Sequence, residues 1–284
     1  MGKLQLLMKY LFTLIYLCSF SIFSQEVKKD ILYLDQNLVP ISKTLFKTKS
    51  NSVIFHSRNY EKDSVIESRL HYQLYFGKMS LKDVDGILTN FNKKSNEKIE
   101  KSKTLLIYHY ETLSGYEEVL KRREESFYKF INSKDSKRVS LNNRYIKPRL
   151  KKYTKKDYLS KIKKNAKKKS KVITKVSEKF NTSTIHVVRN NKGYPLNNKY
   201  FTWIEDSTST FQNKYHGTIM VLKPNGNYFI RYGHLTKEKI YTILEESNWS
   251  SFYTDWDKSL KSNSSVGFGI VKELMKKKKI SAIQ

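Results

Sequence analysis

Residues 217–246 read GTIMVLKPNGNYFIRYGHLTKEKIYTILEE. Two runs rich in β-branched and aromatic residues, Thr218 to Leu222 and Tyr228 to Tyr232, flank Lys223-Pro224-Asn225-Gly226-Asn227. Proline and Asn-Gly are turn residues, so the pattern predicts a β-hairpin, which Gly233 closes. Thr236 then stands as a helix cap, and Leu235 with Ile240 has the spacing of a hydrophobic staple. Ile240, Ile243 and Leu244 continue as the apolar face of a helix.

Upstream, Thr104 to Tyr110 is a continuous apolar and aromatic run that suits a buried central strand. Ser114 and Glu117 have capping-box spacing, and Tyr116, Val119, Leu120, Phe127, Phe130 and Ile131 form a helical stripe. Strand into helix at this spacing opens a βαβ unit. Ile185 to Val188 reads as a further strand, while Tyr200 to Ile204 fits either a strand or a buried turn.

Closer to the N-terminus, residues 31 to 35 predict a short strand. Val53 to Arg58 and Val65 to Phe76 predict a hairpin, whose second arm alternates apolar and polar positions until Gly77. Ser80 with Asp83 caps a short helix bearing Leu81, Val84, Leu88 and Phe91. Beyond Trp249, Phe252, Trp256 and Leu260 lead to a terminal helix ending in Lys276 to Lys279.

These elements predict an α/β (or α+β) fold, a mixed sheet with flanking helices. The strand–turn–strand–Gly–helix order of residues 217–246 resembles the closing ββα unit of thioredoxin-like proteins, with the strand and helix at 104–132 standing for the earlier βα unit. The resemblance implies a thioredoxin-like core with an N-terminal β-hairpin extension. It does not carry the family's chemistry across. Where those proteins hold a Cys-x-x-Cys pair, this chain reads Tyr110-Glu111-Thr112-Leu113-Ser114-Gly115-Tyr116, and His216-Gly217-Thr218 stands in place of the cis-proline.

The one cysteine, Cys18, falls in an N-terminal segment with the marks of a cleavable export signal. Lys3 and Lys9 precede an apolar run from Tyr10 to Phe23, and Ile22-Phe23-Ser24 precedes Gln25. A small residue followed by Gln resembles the cleavage sites of exported proteins of flavobacteria. The run is short for a membrane span and is broken by Ser19, Ser21 and Ser24. The expected divisions are a signal peptide (1–24), a hairpin-and-helix region (25–100), an α/β core (101–249) and a helical tail (250–284). Cleavage leaves a chain without thiols, for a periplasmic or extracellular setting.

The chain carries 55 basic and 26 acidic residues, a net charge of +29. Lys, Asn, Ile, Tyr and Phe are all abundant, as an AT-rich genome would make them, but the same bias favours acidic codons and does not produce a two-to-one excess of bases. The excess concentrates in residues 147–179, where 15 Lys or Arg face only Asp157 and Glu178. Leu159, Ile162, Ala166, Ile173, Val176 and Phe180 keep helical spacing there, and Thr154 with Asp157 supplies a cap, so a long amphipathic helix is expected over about 155–180. Its candidate polyanion-binding residues are Lys161, Lys163, Lys164, Lys167, Lys168, Lys169 and Lys171, for lipid head groups, acidic glycans or nucleic acid. Surface lysines that serve only solubility are the plainer alternative.

No nucleophile or metal-binding motif is present among the six histidines, His56, His71, His109, His186, His216 and His234. Neither catalytic residues nor cofactors are expected. His109 and His186 fall in strands and read as structural. His216 and His234 flank the closing hairpin and mark a candidate pocket, which would serve an envelope enzyme of unrecognised type. The preferred reading is a non-enzymatic binding protein with a basic surface.

Overall fold

Alternating apolar residues and β-branched runs build nine strands, and capped amphipathic segments build seven helices, among the described residues. The computed structural model describes residues 29–95, 98–131, 153–196, 199–206, 217–233 and 235–276. The fold is mixed α/β. The export segment (1–24) and Lys277 to Lys279 lie outside the described residues. The chain divides into two compact units, Met1–Lys47 with Ser57–His71 and Thr48–His56 with Tyr72–Gln284.

The smaller sheet has the order β1-β3-β2, with β1 Asp30–Leu34, β2 Phe55–Glu61 and β3 Val65–Tyr72. β1 lies parallel to β3. Helix α1, Lys43–Ser50, buries Phe46 against Tyr33, with ring centroids 4.9 Å apart.

The larger sheet has the order β4-β9-β8-β5-β6-β7. Its strands are β4 Leu74–Lys78, β5 Thr104–Ser114, β6 Thr182–Lys192, β7 Trp203–Glu205, β8 Thr218–Leu222 and β9 Asn227–Tyr232. β5, β6 and β7 run parallel to one another, while β8, β9 and β4 add antiparallel neighbours in turn. The expected single arm from Val65 to Phe76 is therefore two strands. Gln73 separates them because its backbone bonds to Ile54 and Tyr232, at 2.6 and 3.0 Å, as β4 takes up its place beside β9.

One face of this sheet is covered by α2, Leu81–Lys94. Ser80 caps it by accepting the Asp83 N–H, and Val84, Leu88 and Phe91 pack on Leu105, Ile107, Val187, Ile204 and Met220. Leu81, expected on that stripe, is instead 62% exposed, because it sits in the first turn beyond the reach of the sheet. The α3 helix spans Tyr116–Ile131, and Ser114, expected as its cap, is the last residue of β5. Its carbonyl accepts the Tyr158 hydroxyl at 2.7 Å.

The lysine-rich helix α4, Lys155–Phe180, forms over the length expected. Thr154 and Asp157 make a reciprocal capping box, and the backbone N–H of Thr154 holds the Asp157 carboxyl below its usual range. Asn181 ends the helix in the left-handed conformation. α4 packs on β6 and on α5, Lys237–Glu245. The tail forms α6, Ser250–Lys261, and α7, Gly269–Met275, which pack together.

The β8–β9 turn depends on Gly226, which has φ +84° and lies so close to Met79 that an added Cβ would fall onto the Met79 carbonyl oxygen. The Met79 N–H donates to the Gly226 carbonyl at 3.0 Å, tying the hairpin to the residue after β4.

Candidate functional site

Register across the large sheet places Leu74, Arg231, Ile219, Tyr108, His186 and Trp203 in one row on one face, one residue from each strand. Cross-strand neighbours in such a row project from the same side of the sheet. Here that is the side covered by α4 and α5. At its centre the His186 ring stacks on Tyr108, 5.1 Å away and 11° from parallel. Phe201 and Trp203 close over the same ring at 4.2 and 5.0 Å.

His186 is 1% exposed. Its Nδ1 lies 3.3 Å from the Tyr110 hydroxyl, and its Nε2 has no partner among the described residues. With the Tyr110 hydroxyl donating to Nδ1, the ring carries its own hydrogen on Nε2 as an unused donor. Burial, and then the nearby Lys169 ammonium, push the imidazole pKa down to about 3. The ring is therefore neutral near physiological pH. Burial also raises Tyr108 to about 12 and moves Tyr110 upward, keeping both phenols protonated. On the next position of β5, His109 is buried with both ring nitrogens unpartnered among the described residues, and burial lowers its pKa as well.

Between this aromatic row and the two helices lies a cavity of about 540 Å³. Tyr108, Tyr110 and His186 form its floor, Val172 and Ile173 of α4 one wall, and Leu235 and Ile240 the other. Lys168, Lys169 and Lys237 stand among its lining residues, and among the described residues no carboxylate does. The first turn of α5 opens on it, and the Thr236 hydroxyl, expected to cap that helix, makes no cap bond.

The seven candidate lysines of α4 are all exposed, and among the described residues none is paired with a carboxylate. They do not share one face. Lys161, Lys164, Lys168 and Lys171, joined by Lys175, recur every three or four residues and make a stripe about 21 Å long. Lys163 and Lys167 flank it. Lys169 instead follows Ala166 by three positions and precedes Ile173 by four, so it lies on the inner stripe and reaches the cavity. Desolvation there lowers its pKa. Leu159, expected to be buried, is 43% exposed at the margin of the apolar face.

A second basic concavity of about 530 Å³ lies beside the stripe, where Lys161 meets Arg122, Arg123 and Lys192. The Arg123 guanidinium sits 3.7 Å from the Tyr153 ring centroid. Lys192 approaches Glu118 at 3.4 Å.

His216 and His234 lie outside the described residues, so the pocket expected around them is not described. The aromatic row escaped sequence reasoning, which treated residues 104–110 as one apolar run. Its only local signal is the alternation Tyr108-His109-Tyr110, two hydroxyls directed to one side of a strand. Among the described residues, no group of three His, Cys, Asp or Glu side chains is placed to hold a metal ion, and no helix is long and apolar enough to cross a membrane. Comparison with protein-family models, with curated proteins and with solved structures gives no match to this chain.

Proposed function

We propose that this chain is an exported, non-enzymatic binding protein that engages anionic polymers or an anionic membrane surface through α4. The carrying observation is the stripe of exposed lysines without carboxylate partners among the described residues. Such a row concentrates counterions, and their release on contact with a polyanion drives association. Arg122, Arg123 and Lys192 extend the basic surface beside it.

The scaffold we favour is a thioredoxin-like core. The strand order β9-β8-β5-β6, with β5 and β6 parallel and a helix after β9, supports that reading. Both helices α3 and α4 fall between β5 and β6, which departs from the family's simpler crossover. Export rests on the N-terminal segment and is tested by the N-terminal sequence of the protein recovered outside the cytoplasm, which should begin at Gln25.

The binding test is a salt series with DNA, acidic polysaccharide and phosphatidylglycerol vesicles. Each lysine contact on duplex DNA contributes about 0.9 to the slope of log K against log salt, so replacing Lys164, Lys171 and Lys175 by Gln should lower it by roughly 2 to 3. Binding that is absent, or whose slope is unchanged by the triple variant, would reduce the lysines to a solubility role.

A further inference from the structure

The cavity beneath α4 differs in kind from the lysine stripe outside it, with which it shares only Lys168 among the described residues. Its walls are apolar and aromatic, its volume of about 540 Å³ falls in the range of small-ligand sites, and among the described residues its charged lining groups are cations. The lysine stripe needs none of these features.

Three observations converge on the chemistry of an occupant. Lys168, Lys169 and Lys237 line the cavity, and among the described residues no lining carboxylate neutralises them. The first turn of α5 opens on it without a bond from the Thr236 hydroxyl, and a helix N-terminus favours negative charge. His186, buried in the wall, has an unpartnered Nε2 among the described residues, a polar group whose burial is costly until something pairs with it.

We propose that this cavity binds a small amphipathic monoanion, an acyl or aryl carboxylate, with its apolar body against Tyr108, Tyr110 and Ile240. The carboxylate lies between Lys169, Lys237 and the first turn of α5, where it also accepts the unused Nε2–H of His186, and its apolar body excludes water from Tyr108 and Tyr110. A charged head on an apolar body also explains why a lysine, Lys169, stands on the cavity side of α4, still open to solvent, where an apolar residue would continue the stripe. This inference does not depend on polyanion binding by the outer lysines.

The test is calorimetric titration of the full chain at pH 7.5 with dodecanoate, 2-naphthoate and the uncharged dodecanol. At least one carboxylate should bind, and the alcohol should bind about tenfold or more weakly, because it lacks the charge that pairs with the lysines. Lys169→Glu, at a solvent-accessible position of the cavity lining, should abolish carboxylate binding, and Val172→Trp should fill the cavity with the same result. The Lys164, Lys171 and Lys175 triple Gln variant should bind as wild type does. Four results would overturn the proposal: no binding by either carboxylate, equal binding of dodecanol, binding that survives Lys169→Glu, or binding lost in the triple variant. The last would show the carboxylates collecting on the outer stripe. Should Val172→Trp not fold, Lys169→Glu with the dodecanol comparison still decides.

Discussion

The buried His186 makes stability depend on pH in a way that one substitution can isolate. Its folded pKa of about 3 lies below the ordinary histidine value of 6.5. As pH falls below 6.5 the unfolded chain takes up a proton that the folded ring refuses. The contribution is thus fully present above pH 6.5 and is lost progressively as pH falls toward 3. By linkage the loss reaches about 2 kcal/mol at pH 5.0 and is close to zero at pH 7.5. His186→Phe keeps the stacking on Tyr108 and Phe201 and cannot titrate. It leaves the Tyr110 hydroxyl without its 3.3 Å partner, which costs about 1–3 kcal/mol at any pH. The variant should therefore be less stable than wild type at pH 7.5, and the difference should close by about 2 kcal/mol at pH 5.0. His71 and His109, whose pKa values are also lowered by burial, are common to both proteins and cancel in the difference. Urea unfolding followed by tryptophan fluorescence at the two pH values measures it. A wild-type-minus-variant difference that stays constant between them would refute the reasoning.

Other positions give sharp expectations. Gly226→Ala places a methyl on the Met79 carbonyl oxygen at φ +84°, and should cost about 1–3 kcal/mol in the same unfolding assay. Trp249 is fully buried, its Nε1 donates to the Ile243 and Glu246 carbonyls at 3.1 Å each, and the Lys223 ammonium lies 4.6 Å from its ring centroid. Trp249→Ala should cost about 3–5 kcal/mol and lower the thermal midpoint accordingly.

The closing hairpin was legible because its determinants are local. Pro224, Asn225 and Gly226 specify the turn, and β8 and β9 form on either side of it. The capping box at Thr154 and the stripe through Ala166 and Val176 likewise place α4 within its own sequence. What failed depends on partners distant in the chain. β5 extends past Tyr110 to Ser114 because β6 continues alongside as far as Lys192, so a residue expected to cap a helix ends a strand instead. The cavity is the extreme case. Each of Tyr108, His186 and Ile219 reads as an ordinary strand residue, and they become a site only because register aligns them. Register between strands joined by a long crossover is not written in either strand. Lys169 sits among lysines that the sequence groups as one charged face, and only the position of the sheet shows that it lies on the cavity side while remaining open to solvent.

The place of β4 in the large sheet bears on how the chain comes to be folded at all. Leu74 pairs with Arg231, across more than half the length of the chain. A polypeptide that emerges from its N-terminus presents Leu74 and Phe76, both buried in the finished protein, long before β9 exists to receive them. Through that interval β4 is an apolar strand with open hydrogen-bonding edges, the kind of segment that pairs with whatever edge it meets first. Completion of the sheet waits on the last quarter of the sequence, so any premature stop before Asn227 would release a chain prone to aggregate rather than a smaller folded protein.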